Sequence, residues 1–340
     1  MSKPRPPLDP QLSALELSEI VGEEAQAGHR MQAGPILALV DLVAARVAAH
    51  HANTFVATLM FDRVDLSRPI QHMDLIRLGG RLVRVGQSSM MVEVLGRRTD
   101  MMAREEIPIL RSFVTIVAVD EAGQPDKTIP GLTAATEEDR ALQAEVAKRR
   151  KLADEWFAMQ ESNASGALTP AGVVEDANRT KREYITPLDS EIKVVRQFLP
   201  RHLNYRGTIF GGDLLLWMDR VAVYAACHFT RNRHMVTIAM NRLLFKKPIF
   251  ASDLVSMTAR VVYVRTYTLE VEIKVRLRHA DGSEEDSHSG FFTVLNYDES
   301  GFKRPISTGL RLREEDQEGL AAYHKAKLRH QFWETQEFSP

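Results

Sequence analysis

At 340 residues, 44% of them hydrophobic, the chain is long enough for two ordinary domains with cores of their own. A net charge of −1 argues against a nucleic-acid binder working by bulk charge, yet leaves room for a local basic patch that holds a phosphate-bearing ligand. The lone cysteine, Cys227, excludes an intrachain disulfide and a cysteine-based zinc site, and no run of eighteen residues is wholly apolar.

The opening Met1–Pro10 carries prolines where a signal peptide needs its apolar run, so a disordered lead-in and a cytoplasmic location are expected. Alternation over residues 13–22 predicts a first strand. A polar turn around Gln26, His29 and Arg30 leads to Ala33-Gly34, followed by an apolar helix with Pro35 in its first turn and Asp41 inside it. Strand-like runs follow at 54–61, 74–85, 90–95 and 112–119, separated by turn residues. Residues 136–160 read as a charged surface helix, 161–177 as a linker rich in Ser, Gly, Ala and Pro, and 312–331 as a second charged amphipathic helix.

The second half repeats the first. Asn204-Tyr-Arg-Gly207-Thr208-Ile-Phe-Gly211-Gly212 runs directly into a helix, apolar around much of its circumference, that contains Asp219. Asp219 follows Gly212 by seven residues, as Asp41 follows Gly34, and the two aspartates stand 178 residues apart. Pro69-Ile70 and Pro248-Ile249, Asp74-Leu75 and Asp253-Leu254, and Val92-Glu93 and Val271-Glu272 match at 179, and Asp120–Gly123 and Asp298–Gly301 at 178. This is an internal duplication. Each copy reads as strand, buried helix, then consecutive antiparallel strands: an α+β fold with the sheet curled about the helix. The expected boundaries are 12–135, a charged helix and linker over 136–185, 186–311, and a helical tail over 312–340. A carboxylate inside an apolar helix carries a desolvation cost that Leu or Met would avoid, which marks Asp41 and Asp219 as candidates for chemistry.

The pattern Asn-x-x-Gly-Thr-x-x-Gly-Gly, a buried helix bearing Asp, then strands with Pro-Ile and Asp-Leu steps resembles the hotdog-fold acyl-CoA thioesterases. The tandem duplication with a charged connecting helix is similar to their double-hotdog members. The resemblance spans about 12–310, with a well-formed motif in the second copy and a degenerate one in the first. It implies an internal pseudo-dimer: one continuous sheet, two helices side by side, and sites at the seam built from one copy's aspartate and the other's glycine loop. It implies hydrolysis of acyl-CoA to a free fatty acid and coenzyme A, with no cofactor beyond the coenzyme A of the substrate. Further assembly is also implied, and a homotrimer of double-hotdog chains is expected.

The chemistry matches the residue types. The Gly211 N–H at a helix start is a donor for a developing oxyanion, and Asp41 a general base or nucleophile; Asn204 and Thr208 are the polar members of the loop. The two seams differ, since Gln26, Arg30 and Ala33 stand where the second copy has Asn204, Thr208 and Gly211. Asp41 with Asn204 and Gly211 is therefore the expected working set; Asp219 with its own loop is the alternative. Arg30 is expected to pair with Asp219 and blunt it. Lys246, Lys247 and Arg68 are candidates for the coenzyme A phosphates, with a solvated basic face as the plain alternative. Hydratases of this fold need a histidine about five residues beyond the helix aspartate. Arg46 and Tyr224 occupy those places, which disfavours hydration chemistry. The rival reading is a non-catalytic acyl-CoA-binding or sensing module.

Overall fold

A computed structural model describes residues 6–22, 26–27, 30–66, 68–100, 104–133, 136–163, 183–204 and 206–335. The start of the lead-in and most of the linker expected over 161–177 lie outside the described residues.

Two long helices of the same length organise the chain. α1 (Ala33–Ala52) begins with Pro35 in its first turn, where a missing N–H is harmless, and ends at Asn53 in the left-handed region, φ 48°. Among the described residues it is the one helix long and apolar enough to cross a membrane by composition. Here a sheet wraps it, and Ile36, Val40, Val43 and Val47 are buried. The helix that matches it, Gly211–Thr230, ends the same way at Arg231, φ 52°.

In the first copy β1 (Leu15–Ile20) precedes α1, and β2 (Phe55–Phe61), β3 (Leu75–Val85), β4 (Ser89–Asp100) and β5 (Glu105–Val119) follow it. They form an antiparallel sheet in the order β1-β3-β4-β5-β2. The helix α2 (Glu137–Asn163) then leads to the second copy: β6 (Ile192–Gln197), α3 (Gly211–Thr230), β7 (Met235–Met240), β8 (Leu254–Val264), β9 (Thr268–Arg278) and β10 (Glu284–Asn296). Its sheet order is β6-β8-β9-β10-β7, the first order repeated. The duplication reaches into the irregularities. Register shifts at Thr58/Met60, Leu82/Arg84 and Gly96/Arg97 recur at Thr237/Ala239, Val261/Tyr263 and Val275/Arg276. These are two fused hotdog domains, each a curled antiparallel sheet around a central helix.

The sheets do not run on as one. β2 ends at Phe61, the chain bends at Asp62-Arg63, and Val64-Asp65 crosses over to pair with β7; Leu243-Leu244 returns the exchange by pairing with β2. Two six-stranded sheets laced by reciprocal two-residue strands replace the single continuous sheet that was expected. At the seam α1 and α3 pack side by side. A Cβ at Gly212 would lie 2.9 Å from the Ala38 Cα, so a side chain there would force the helices apart.

A helix covers the outer face of each sheet. Leu142 and Val146 of α2 seal Val83, Met91 and Phe113 on the outside of the first sheet. Buried Glu93 is held there by Arg81 at 2.8 Å and Arg111 at 2.7 Å. The tail helix α4 (Gln317–Thr335) does the same for the second sheet: Tyr323 packs on Tyr263, and Arg329 pairs with buried Glu270. Both charged helices are struts on their sheets.

Candidate active site

Asp41 and Asp219 lie inside the molecule with no exposed surface. Burial pushes each carboxyl up from the ordinary 3.8 to about 6, because the charged form loses its water. Opposing this at Asp41 are the Thr58 hydroxyl, which donates to Oδ1 at 2.6 Å, and the nearby Gly212 amide; the Asp213 charge adds to the rise. At Asp219 the opposing groups are Thr237, the Gly34 amide and Arg220.

The seam mixes the copies. Asp41 of the first faces the α3 start of the second: a Cβ on Gly211 would stand 2.8 Å from Asp41 Oδ2. Only glycine permits that approach. Asp219 faces the α1 start, and the Gly34 N–H donates to its Oδ2 at 2.8 Å. The structure thus brings each helix aspartate against the other copy's glycine turn.

The two seams differ in how the carboxylate is used. Asp41 Oδ2 has no hydrogen-bond partner: the Gly212 amide lies close without being aligned on it. In the other seam the corresponding amide, that of Gly34, is committed to Asp219. Its remaining oxygen, Oδ1, and the Thr237 hydroxyl beside it are buried without aligned partners. In the sequence Ala33 stands where Gly211 does. The first amides of α3 precede its hydrogen-bond ladder, which starts with the Asp213 and Leu214 N–H groups on the Phe210 carbonyl.

The loop ahead of α3 is fastened by Asn204. Its Oδ1 accepts from the Arg206 N–H at 2.9 Å and the Thr208 N–H at 3.3 Å, and its Nδ2 donates to Thr208 Oγ1 at 2.8 Å. Asn204 and Thr208 are therefore partners of each other. One Nδ2 hydrogen of Asn204 remains for a ligand.

Arg30 does not pair with Asp219. Its guanidinium donates to the Gly301 carbonyl at 2.6 Å and lies 4.9 Å above the Tyr297 ring. The second copy reciprocates: Arg206 donates to the Asp120 carbonyl at 2.6 Å and lies over Phe55. Each copy's loop arginine clamps the matched turn of the other, a use that the alignment of Arg30 with Thr208 did not reveal. Among the phosphate candidates, Lys247 is engaged by Glu285, while Lys246 and Arg68 are exposed.

Thr58 and Thr237 were not singled out from the sequence. Their signal was available: Thr58 shares the inward face of β2 with Val56 and Met60, and Thr237 repeats it 179 residues on. Each sits at a bulge, which turns its side chain toward the helix. Among the described residues, no group of His, Cys, Asp and Glu could hold a metal ion.

Two hotdog units, helices paired at a seam and an aspartate facing a glycine turn define a double-hotdog protein. The chain belongs to the thioesterase superfamily, whose model matches residues 33–104 and 206–281, one stretch in each copy. It is 24% identical to acyl-coenzyme A thioesterase 11 of Mus musculus over 336 residues, 96% of this chain and 53% of that protein. The chain therefore spans about half the length of that relative. It is 36% identical to an uncharacterized acyl-CoA thioester hydrolase of Zymomonas mobilis over 104 residues, 31% of this chain and 70% of that one. A solved acyl-CoA hydrolase from Staphylococcus aureus, in complex with butyryl coenzyme A and coenzyme A, matches with a TM-score of 0.42 at 26% identity, covering 46% of this chain and 98% of that one.

Proposed function

We propose that this chain hydrolyses acyl-CoA thioesters at the seam between Asp41 and Gly211. One observation carries the reading: a fully buried carboxylate whose Oδ2 is left unpartnered and faces a glycine turn of the other copy. Asp219 also keeps one oxygen without a partner, but its Oδ2 is taken by the Gly34 N–H of the turn it faces, whereas Asp41 Oδ2 is not so taken.

In the hydrolytic step a water attacks the thioester carbon and gives its proton to Asp41 Oδ2. The oxyanion is received by the N–H groups of Gly211 and Gly212, backed by the positive end of α3. Collapse expels the coenzyme A thiolate, whose conjugate acid has a pKa of about 8.5 by analogy with cysteine, so no strong general acid is required. The same oxygen is placed to attack the carbon directly, giving an anhydride that water then opens. Label left in Asp41 after a single turnover in labelled water identifies the second route, in which coenzyme A thiolate has left and water opens the anhydride at the aspartyl carbon.

Release of free thiol from acyl-CoAs of rising chain length tests the activity. Wild type should turn over, Asp41→Asn should fall by orders of magnitude, and Asp219→Asn should fall less. Wild-type rates in Asp41→Asn would overturn the assignment. The reading extends to a cytoplasmic enzyme that assembles as a trimer of double-hotdog chains.

A further inference from the structure

Behind the Gly211 turn lies a group of basic side chains that the hydrolytic chemistry does not use. His202 is buried, and its carbonyl accepts the Phe210 N–H at 2.9 Å, which fixes it immediately beside the start of α3. The Leu199 N–H points at its Nδ1 at 3.0 Å. Arg196 Nη2 and Arg201 Nε both point at its Nε2, at 3.4 and 3.5 Å. A neutral imidazole has one accepting nitrogen. At least one of these three donors therefore faces a nitrogen that cannot receive it.

Neither arginine makes an ion pair with a described carboxylate. Arg196 lies over the rings of Phe198 and Trp217, at 5.0 and 5.7 Å, which fixes its guanidinium in place. The acid that feels the group is Asp213, half-buried in the first turn of α3. Two guanidiniums against one carboxylate leave net positive charge.

The duplication supplies an internal control. Arg196 pairs with Val255 in its sheet, and Glu19 pairs with Ile76 at the same place in the other, so Glu19 is the structural counterpart of Arg196. Counting back from the matched turns at the offset of 178, Arg201 and His202 correspond in the sequence to Glu23 and Glu24. Arg196 is thus answered by an acid, and the sequence stretch that matches Arg201 and His202 is acidic as well. A patch that served only to seat the loop would have no reason to invert its charge between copies.

We propose that Arg196 and Arg201, with His202 between them, bind phosphate groups of the coenzyme A portion of the substrate, and that the chain takes one such ligand, at the Asp41–Gly211 seam alone. This rests on the thioesterase reading for the identity of the ligand. Glu19, in the place of Arg196, disfavours the same phosphates at the other seam. Arg201 is exposed and suited to substitution, whereas Arg196 is stacked and its removal would disturb the fold.

The test is calorimetric titration of the full chain with coenzyme A, 3′-dephospho-coenzyme A and pantetheine, for wild type, Arg201→Glu and Arg201→Lys. Wild type should bind one coenzyme A per chain and pantetheine far more weakly. Arg201→Glu, at an unchanged melting temperature, should weaken coenzyme A about tenfold or more without altering pantetheine, and Arg201→Lys should retain most of the affinity. Weakened binding of the dephospho form would assign the 3′-phosphate to the patch; equal binding would assign the diphosphate. Unchanged affinity in Arg201→Glu, or two equal sites per chain, overturns the proposal. Binding needs no turnover. A chain that binds coenzyme A in this way yet releases no thiol from acyl-CoA would defeat the proposed activity and leave the phosphate site standing.

Discussion

The Asp41→Asn substitution probes the site through stability as well as through rate. Burial raises the Asp41 carboxyl from 3.8 to about 6, so the folded protein binds that proton more tightly than the unfolded chain. The contribution of this group to stability is then greatest below about pH 4, declines as pH rises toward 6, and is level above that. At 1.36 kcal/mol for each pKa unit, the ionised carboxylate destabilises the native state by about 3 kcal/mol at neutral pH. Asparagine cannot ionise and keeps an oxygen to accept from Thr58. The stability of Asp41→Asn relative to wild type should therefore rise by most of about 3 kcal/mol between pH 4 and pH 7. For a chain of this length unfolding as one unit, that is a relative gain of about 4 °C in melting temperature. The unpaired amide of the variant adds an offset that does not change with pH, so the slope is the quantity to read. The assay is differential scanning fluorimetry of both proteins across this range. Melting temperatures that stay parallel within about 1 °C would show that Asp41 titrates normally, and the argument for a dry base would fail.

Two further outcomes follow from the same geometry, and a third from the proposed assembly. The kcat/KM of wild type should fall about tenfold per unit below about pH 6, and Thr58→Val should move that limb to higher pH, because the lost hydroxyl favours the ionised form; coincident profiles would remove Thr58 from the site. Gly211→Ala should cut turnover by at least about a hundredfold while the fold persists, since its Cβ would stand 2.8 Å from Asp41 Oδ2; an active variant would place the reaction elsewhere. Light scattering should report a trimer, and a species of 38.3 kDa at micromolar concentration would exclude it.

Much of this organisation was legible because duplication supplies its own comparison. Two aspartates at the same distance from two glycine or alanine pairs revealed the helices, and the strand order followed from matched Pro-Ile and Asp-Leu steps. What stayed hidden belongs to tertiary structure. The exchange of Val64-Asp65 and Leu243-Leu244 depends on a bend at Asp62-Arg63 that has no periodicity to read. Arg30 was misread because its aligned partner, Thr208, is a small loop residue. Its structural partner is Arg206, two positions earlier, and a guanidinium long enough to reach Gly301 escapes any count of spacing. Thr58 was passed over as a strand residue, although burying a hydroxyl on the inward face of a strand is costly unless a partner such as Asp41 receives it.

The rise of both aspartates to about 6 means that acidity alone does not choose between the two seams. Both carboxylates are equally buried and equally reluctant to ionise, so a description by pKa would make the copies interchangeable. The difference lies in lone pairs and space. Asp219 already accepts the first-turn amide of α1, and in doing so caps that helix from the neighbouring one; a hydrogen bond made to the protein is one withheld from a water or a carbonyl. Asp41 makes no such bond through Oδ2, and the residue before it in space is glycine rather than alanine. A homodimer of identical hotdogs could not separate these uses, because any change to one seam would appear in the other. Fusion of the copies removes that constraint. On the proposed reading, one aspartate serves as a structural cap while Asp41 keeps a buried, unpartnered lone pair for the thioester, and Arg196, standing where the first copy has Glu19, supplies charge for a phosphate-bearing substrate on that side.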